Sequence, residues 1–145
     1  MTNSKISCTV STSDSKARLG LEIWLDDSVL FDTDHVTHEI LPLEFDVSDD
    51  EDTHELRFIL KNKTEEHTRV DADGNILSDA TISISNLAFE EIQLDQIFYD
   101  HAVYTHDFNG TGQRTEDKFY GTMGCNGTVS LKFTTPIYLW LLESM

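Results

Sequence analysis

The sequence predicts an all-β chain, an antiparallel β-sandwich of jelly-roll-like type. Three observations carry that prediction: apolar residues recur with period two, turn residues punctuate the runs at short intervals, and no stretch sustains a helical period. An antiparallel sheet with one apolar face must cover it, and a second sheet is the usual cover.

Taken in order, Ile6, Cys8 and Val10 alternate with Ser7, Thr9 and Ser11. Leu19, Leu21, Ile23 and Leu25 alternate with Arg18, Gly20, Glu22 and Trp24, and Asp26-Asp27-Ser28 turns that run into Val29 to Phe31. Leu41, Leu43, Phe45 and Val47 form the next set, with Pro42 suited to an edge strand or a bulge. Leu56, Phe58 and Leu60 follow, then Ala80, Ile82 and Ile84, then Val129, Leu131 and Phe133. Each set places its apolar members on one sheet face and its polar members on the other. Asp73-Gly74-Asn75 turns Val70 into Ile76, and residues 109–113 make a glycine-bearing break. Asn126-Gly127 reads as a hairpin turn before Val129. Ser48 and Glu51 have capping-box spacing, but the stretch from Ser48 to His54 is too short to read as more than a turn. Thr134 to Leu142 reads as a last strand with two apolar faces. One carries Tyr138, Trp140 and Leu142, and the other Ile137, Leu139 and Leu141. Such a strand is either central or held by a partner, so Tyr138, Trp140 and Leu142 are the candidate interface of a homo-oligomer.

Length and composition bound the rest. The 145 residues, 39% of them hydrophobic, suit a single domain spanning 1–145 with a real core, and no linker or repeat divides them. Two cysteines are too few for a disulfide framework; Cys8 and Cys125 could pair, or each could be a small buried hydrophobe. The N-terminus lacks an apolar segment of signal-peptide length, and the longest apolar run, Ile137 to Leu142, is far short of a membrane span. The expectation is a soluble protein made in the cytosol.

Charge excludes more. The net charge is -17, and from Leu19 to Leu56 the chain has 13 acids with no Lys or Arg. Such a surface repels phosphate backbones and anionic lipid, so nucleic acid and membrane are not expected partners. It suits solubility, cations or a basic protein.

Catalytic patterns are missing from the sequence. No Gly-x-Ser-x-Gly elbow occurs, and Gly110-Thr111-Gly112 has no lysine to hold phosphate. Two patterns could bind a metal. Asp71, Asp73, Asn75 and Asp79 offer oxygen ligands around a tight turn, the chemistry that calcium requires. Ile76 and Ile82 stand where a helix-loop-helix calcium site needs glycine and glutamate, so the site would be of the sandwich-loop type, or else a plain Asp-Gly hairpin. Asp32, Asp34, His35, His38 and Glu39 have the ligand types for a transition metal without a spacing that specifies it.

The segment from Tyr99 to Tyr120 has the composition of a ligand site. Tyr99, Tyr104, Phe108 and Tyr120 could stack on the apolar face of a pyranose. His106, Asp107, Asn109, Gln113 and Arg114 could bond its hydroxyls. The alternative is a long surface loop between core strands.

Leu21 to Phe31 is similar to the strand–turn–strand hairpin of carbohydrate-binding β-sandwich modules. His54 to Leu60 resembles the strand that follows it there, and Asp71 to Leu94 the later hairpin and core strands. The small, acidic, β-rich chain also resembles virion accessory proteins of tailed phages. These resemblances imply a non-catalytic binding or assembly module, whose partner is a polysaccharide or a neighbouring protein subunit. The alternative is a small jelly-roll enzyme acting on glycans, which would show two close, partly buried carboxylates or a metal-bound imidazole cluster in a cleft.

Overall fold

The computed structural model describes residues 3–144 except 15, 38–40, 49, 51, 64–67, 75, 95, 107–114, 120 and 124–125. The described residues form thirteen strands: β1 (Asn3–Thr12), β2 (Gly20–Leu25), β3 (Ser28–Thr33), β4 (Leu41–Ser48), β5 (Thr53–Lys61), β6 (Thr68–Val70), β7 (Ile76–Asp79), β8 (Ile82–Phe89), β9 (Ile92–Gln93), β10 (Val103–His106), β11 (Thr115–Lys118), β12 (Thr122–Met123) and β13 (Gly127–Thr134). Two short helices join them, α1 (Gln96–His101) and α2 (Ile137–Ser144).

Two antiparallel sheets make the sandwich. The first has the order β12-β8-β1-β4, with β9 also on β8, and the second the order β11-β10-β13-β5-β2-β3. The small β6–β7 hairpin forms a third sheet by itself. The alternating residues select their faces as expected. Ile6, Val10, Ile82 and Ile84 from the first sheet and Leu21, Ile23, Leu56, Phe58, Val129 and Leu131 from the second are buried. Their polar neighbours point outward, where water satisfies them. Pro42 sits on β4, the edge of its sheet, where a missing N–H disturbs least. Asp26 and Asp27 form the β2–β3 turn, and Asp26 takes a φ of 53° that aspartate tolerates.

The end of the chain departs from the sequence-based expectation. Ile137–Ser144 is a helix, not a strand. Pro136 presets the first turn, and its carbonyl accepts from the Leu139 and Trp140 amides. Burial then follows helical spacing: Ile137, Trp140 and Leu141 face inward, while Tyr138, Leu139 and Leu142 are exposed. Trp140 packs on Phe89 and Phe133 at ring distances of 5.7 and 6.1 Å and is 8% exposed. The chain's own core therefore claims Trp140, and the Tyr138–Trp140–Leu142 stripe does not exist as one surface.

In α1 the buried residue is Phe98, with buried Leu94 and Ala102 just before and after the helix. Asn126-Gly127 does not turn a hairpin, because β12 and β13 lie in different sheets. Gly127 is required by close packing, since a Cβ there would stand 2.3 Å from the Thr105 carbonyl oxygen. The Asn126 side chain fastens the crossing by bonding both the N–H and the carbonyl of Lys63.

Candidate functional site

A shallow concavity of about 290 Å³ lies on the outer face of the first sheet. Its floor comes from strand register. Gln93, Ala88, Ser7 and Glu44 form one row across β9, β8, β1 and β4. Ser85, Thr9 and Pro42 form the next. Small Ser7, beside buried Ala88, leaves a dip in the middle, which the longer Gln93 and Glu44 flank.

A bulge shapes the gap between the rows. The pairing jumps from Ser7–Ala88 to Thr9–Ser85, so Asn86 and Leu87 oppose Cys8. Asn86 takes a φ of 54°, and its amide comes within 3.5 Å of the Thr9 hydroxyl. On the far wall the Lys5 ammonium donates to Glu44 at 2.9 Å; that hydrogen bond is the main cause of a raised Lys5 pKa. Cys8 lies just beneath and is buried, which pushes its thiol up to about 12 and keeps it protonated and inert at neutral pH.

Elsewhere the close carboxylates already have cations. Lys61 reaches Asp32 at 2.7 Å, Glu22 at 3.3 Å and Asp34 at 3.4 Å. The hydrogen bond to Asp32 leads the causes that raise its pKa. Buried His54 lies between Asp26, 2.6 Å from Nδ1, and Asp50, 2.8 Å from Nε2. With both ring nitrogens held by carboxylates, this imidazole is placed as an ionic bridge, not as a base facing a substrate. Trp24, half-buried on the outer face of the second sheet, donates to Glu22 and lies 5.4 Å from the Arg57 guanidinium.

The expected ligand segment divides into a core part and a part outside the described residues. Tyr104 and His106 are both 8% exposed and pack together, rings tilted, at 4.7 Å, and His106 Nε2 bonds Asp117 at 2.7 Å. Their alternation on β10 turns them inward, so the Tyr104 ring is spent on packing against Phe119 rather than open to a sugar. Tyr99 is half-buried beside Phe98 and Phe119. Asp107, Phe108, Asn109, Gln113, Arg114 and Tyr120 lie outside the described residues.

Of the proposed calcium ligands, Asp71 and Asp73 lie in the turn of the β6–β7 hairpin and Asp79 ends β7. Asp71 accepts the Asp73 amide at 2.9 Å within the turn, and Gly74 has the φ of 86° that turn requires. Asp79 pairs with Thr68 at the far end of the hairpin. Asn75 lies outside the described residues, as do His38 and Glu39 of the second metal pattern. His35 and Asp32 line a separate hollow of about 320 Å³ with Phe31 and Leu41. Among the described residues no three His, Cys, Asp or Glu side chains are grouped to hold a metal. None of the described helices is long and apolar enough to cross a membrane.

Sequence signals pointed to aromatics and acids, and the concavity has few of either. Its only advance sign was the run of Ser and Thr on the polar side of β1.

No family model matches the sequence, and no curated protein matches it either. The fold has a solved counterpart in vCBM60 in complex with galactobiose, at a TM-score of 0.52 and 12% identity. The match covers 88% of this chain and 96% of that one. At that identity the likeness is one of fold, and nearly the whole chain takes part in it: the two share a β-sandwich.

Proposed function

We propose that this chain is a non-catalytic glycan-binding module. The supporting observation is the near end-to-end fold likeness to a sandwich solved with a disaccharide bound. The chemistry of the described surface agrees. The close carboxylate sets, around Lys61 and His54, are engaged in ion pairs, unlike a free pair of catalytic acids. The outer sheet face instead presents hydroxyls, amides and a carboxylate, groups that bond sugar hydroxyls without reacting with them.

A glycan array probed with the full chain, with and without calcium, tests this reading. Retention of one glycan class, with no change in the glycan over hours, is the expected result. Hydrolysis of a bound glycan would replace it with the enzyme reading. The calcium arm also tests Asp71, Asp73, Asn75 and Asp79: if they hold the ion, millimolar calcium raises the melting temperature, because a ligand of the folded state alone stabilises it. An unchanged melting point removes calcium from the proposal.

A second reading, contact with a neighbouring protein subunit as in a virion, rests on helix α2. Tyr138, Leu139 and Leu142 are 55%, 56% and 69% exposed on it. Sedimentation of the parent and of a Tyr138→Ser, Leu142→Ser variant decides it: a parent oligomer that the variant dissolves supports assembly, and a monomeric parent rejects self-association.

A further inference from the structure

We propose that the concavity over β1 is the sugar-contacting site, and that its ligand is a neutral, hydroxyl-rich saccharide rather than an acidic one. This rests on the glycan-binding reading above. Register and size build the site: small Ser7 forms the dip, Glu44 and Gln93 flank it, and the β8 bulge brings Asn86 in from the side.

The donor and acceptor inventory selects the ligand class. A sugar hydroxyl both donates and accepts. Asn86 and Gln93 each present an amide N–H pair and a carbonyl, Ser7 and Thr9 add hydroxyls, and the Glu44 carboxylate accepts only. A vicinal diol can therefore donate to Glu44 while it accepts from an amide. The Pro42 ring provides apolar surface for the C–H face of a pyranose, weaker than an aromatic ring would be. The hollow is at the small end of the roughly 300–1,000 Å³ of small-molecule sites and is open, so it suits a short stretch of an oligosaccharide.

Charge sets the preference against acids. Glu44 and Asp46 are both exposed on β4, on the same outward face, and the Lys5 ammonium that meets Glu44 is already paired. A uronic acid carboxylate would enter against these groups and against the net charge of -17.

The bulge has a role in this arrangement. A regular β8, continuing the alternation of inward Ile84 and outward Ser85, would turn Asn86 inward and Leu87 outward. The inserted residue re-aims the Asn86 amide toward Thr9 while Leu87 stays buried.

The test uses the full chain and two-dimensional amide NMR with a panel of cellobiose, maltose, xylobiose and galactobiose, plus digalacturonic acid. Asn86→Gly, Gln93→Ala is the matched variant; glycine suits the positive φ at position 86, and Gln93 is exposed, so the fold should survive, which a melt checks. The expected result is that at least one neutral disaccharide shifts the Ser7, Thr9 and Gln93 amides. The variant should bind it at least tenfold more weakly, and digalacturonic acid should bind at least tenfold more weakly to the parent. Undiminished binding by the variant, or shifts confined to residues 99–120, overturns the site and leaves the glycan-binding reading intact. Equal affinity for digalacturonic acid overturns the neutral class. Silence across both this panel and the array overturns the site together with the reading beneath it.

Discussion

His54 shows how a single residue can tie three connections at one end of the sandwich. Its imidazole joins Asp26 of the β2–β3 turn to Asp50 of the β4–β5 connection. Asp50 in turn accepts from the Thr135 hydroxyl just after β13, and Asp26 also accepts the Glu55 amide. Burial opposes a charge on His54, but the hydrogen bonds it donates to the two carboxylates outweigh it and raise its pKa. A raised folded-state value means that the imidazolium contributes its full stabilisation below the unfolded value of about 6.5, and loses it as pH rises through the folded value. The melting temperature should therefore fall as pH rises from weakly acid to weakly alkaline, and His54→Gln should flatten that limb. On the acid side the Asp50 pKa is lowered, chiefly by the hydrogen bond from His54, so its contribution is lost as pH falls through that lowered value. Asp26→Asn should lower the His54 pKa in an NMR titration. An unmoved titration would show that Asp26 does not hold the charge.

Two elements make opposite predictions. Helix α2 closes the aromatic end of the core, where Trp140 meets Phe89 and Phe133. Trp140→Ser removes that packing and should cost about 3–5 kcal/mol, as large-to-small core changes do. Urea unfolding monitored by circular dichroism measures it, and a loss below 1 kcal/mol would show that the helix is a loosely held appendage. The β8–β9 hairpin is strained instead. Its two turn residues, Glu90 and Glu91, have φ of 52° and 68°, a conformation that glycine and asparagine adopt far more readily. Glu90 gains something in return, since its carboxylate accepts the Lys5 amide. Glu91→Gly should therefore be the stabilising change, worth about 1 kcal/mol and a melting point higher by about 2–4 °C. A lowered melting point would show that the Glu91 side chain makes a contact that outweighs the backbone strain.

At the scale of the molecule, charge is the dominant unpaired term. A net charge of -17 repels itself in the compact state, and much of the acid is concentrated in β2 to β5. Added salt screens that repulsion over a Debye length of about 10 Å at 0.1 M. The melting temperature should rise steadily from low ionic strength to about 0.5 M sodium chloride. Lys61 complicates the trend in an informative way, because it is the cation shared by Glu22, Asp32 and Asp34. Lys61→Met should lower the melting point most at low salt, and salt should recover part of the loss. Equal losses at all salt concentrations would assign the role of Lys61 to its packed alkyl stem.

The division between sequence and tertiary structure follows from the range of the forces involved. Alternation in β1, β2, β5 and β13 could be read directly, because the period of two is a property of the backbone and the buried face must be apolar wherever the partner sheet lies. The Asp26-Asp27 and Asp73-Gly74 turns were legible for the same local reason. Residues 137–142 were not. An apolar run without polar gaps fits a strand or a helix equally, and only the cavity against Phe89 and Phe133 selects the face with Ile137, Trp140 and Leu141. Tyr104 and His106 have the composition of a ligand site, yet their direction depends on which side of β10 the other sheet covers. The concavity over β1 is the clearest case. Its residues come from positions 7, 9, 42, 44, 86 and 93, each unremarkable where it stands, and only strand pairing over that distance makes them neighbours. The sequence by itself determined a sandwich, its inward residues and its acidic surface, because those depend on local period and composition. Tertiary structure alone decided which polar groups share a hollow, because that depends on register between strands far apart in the chain.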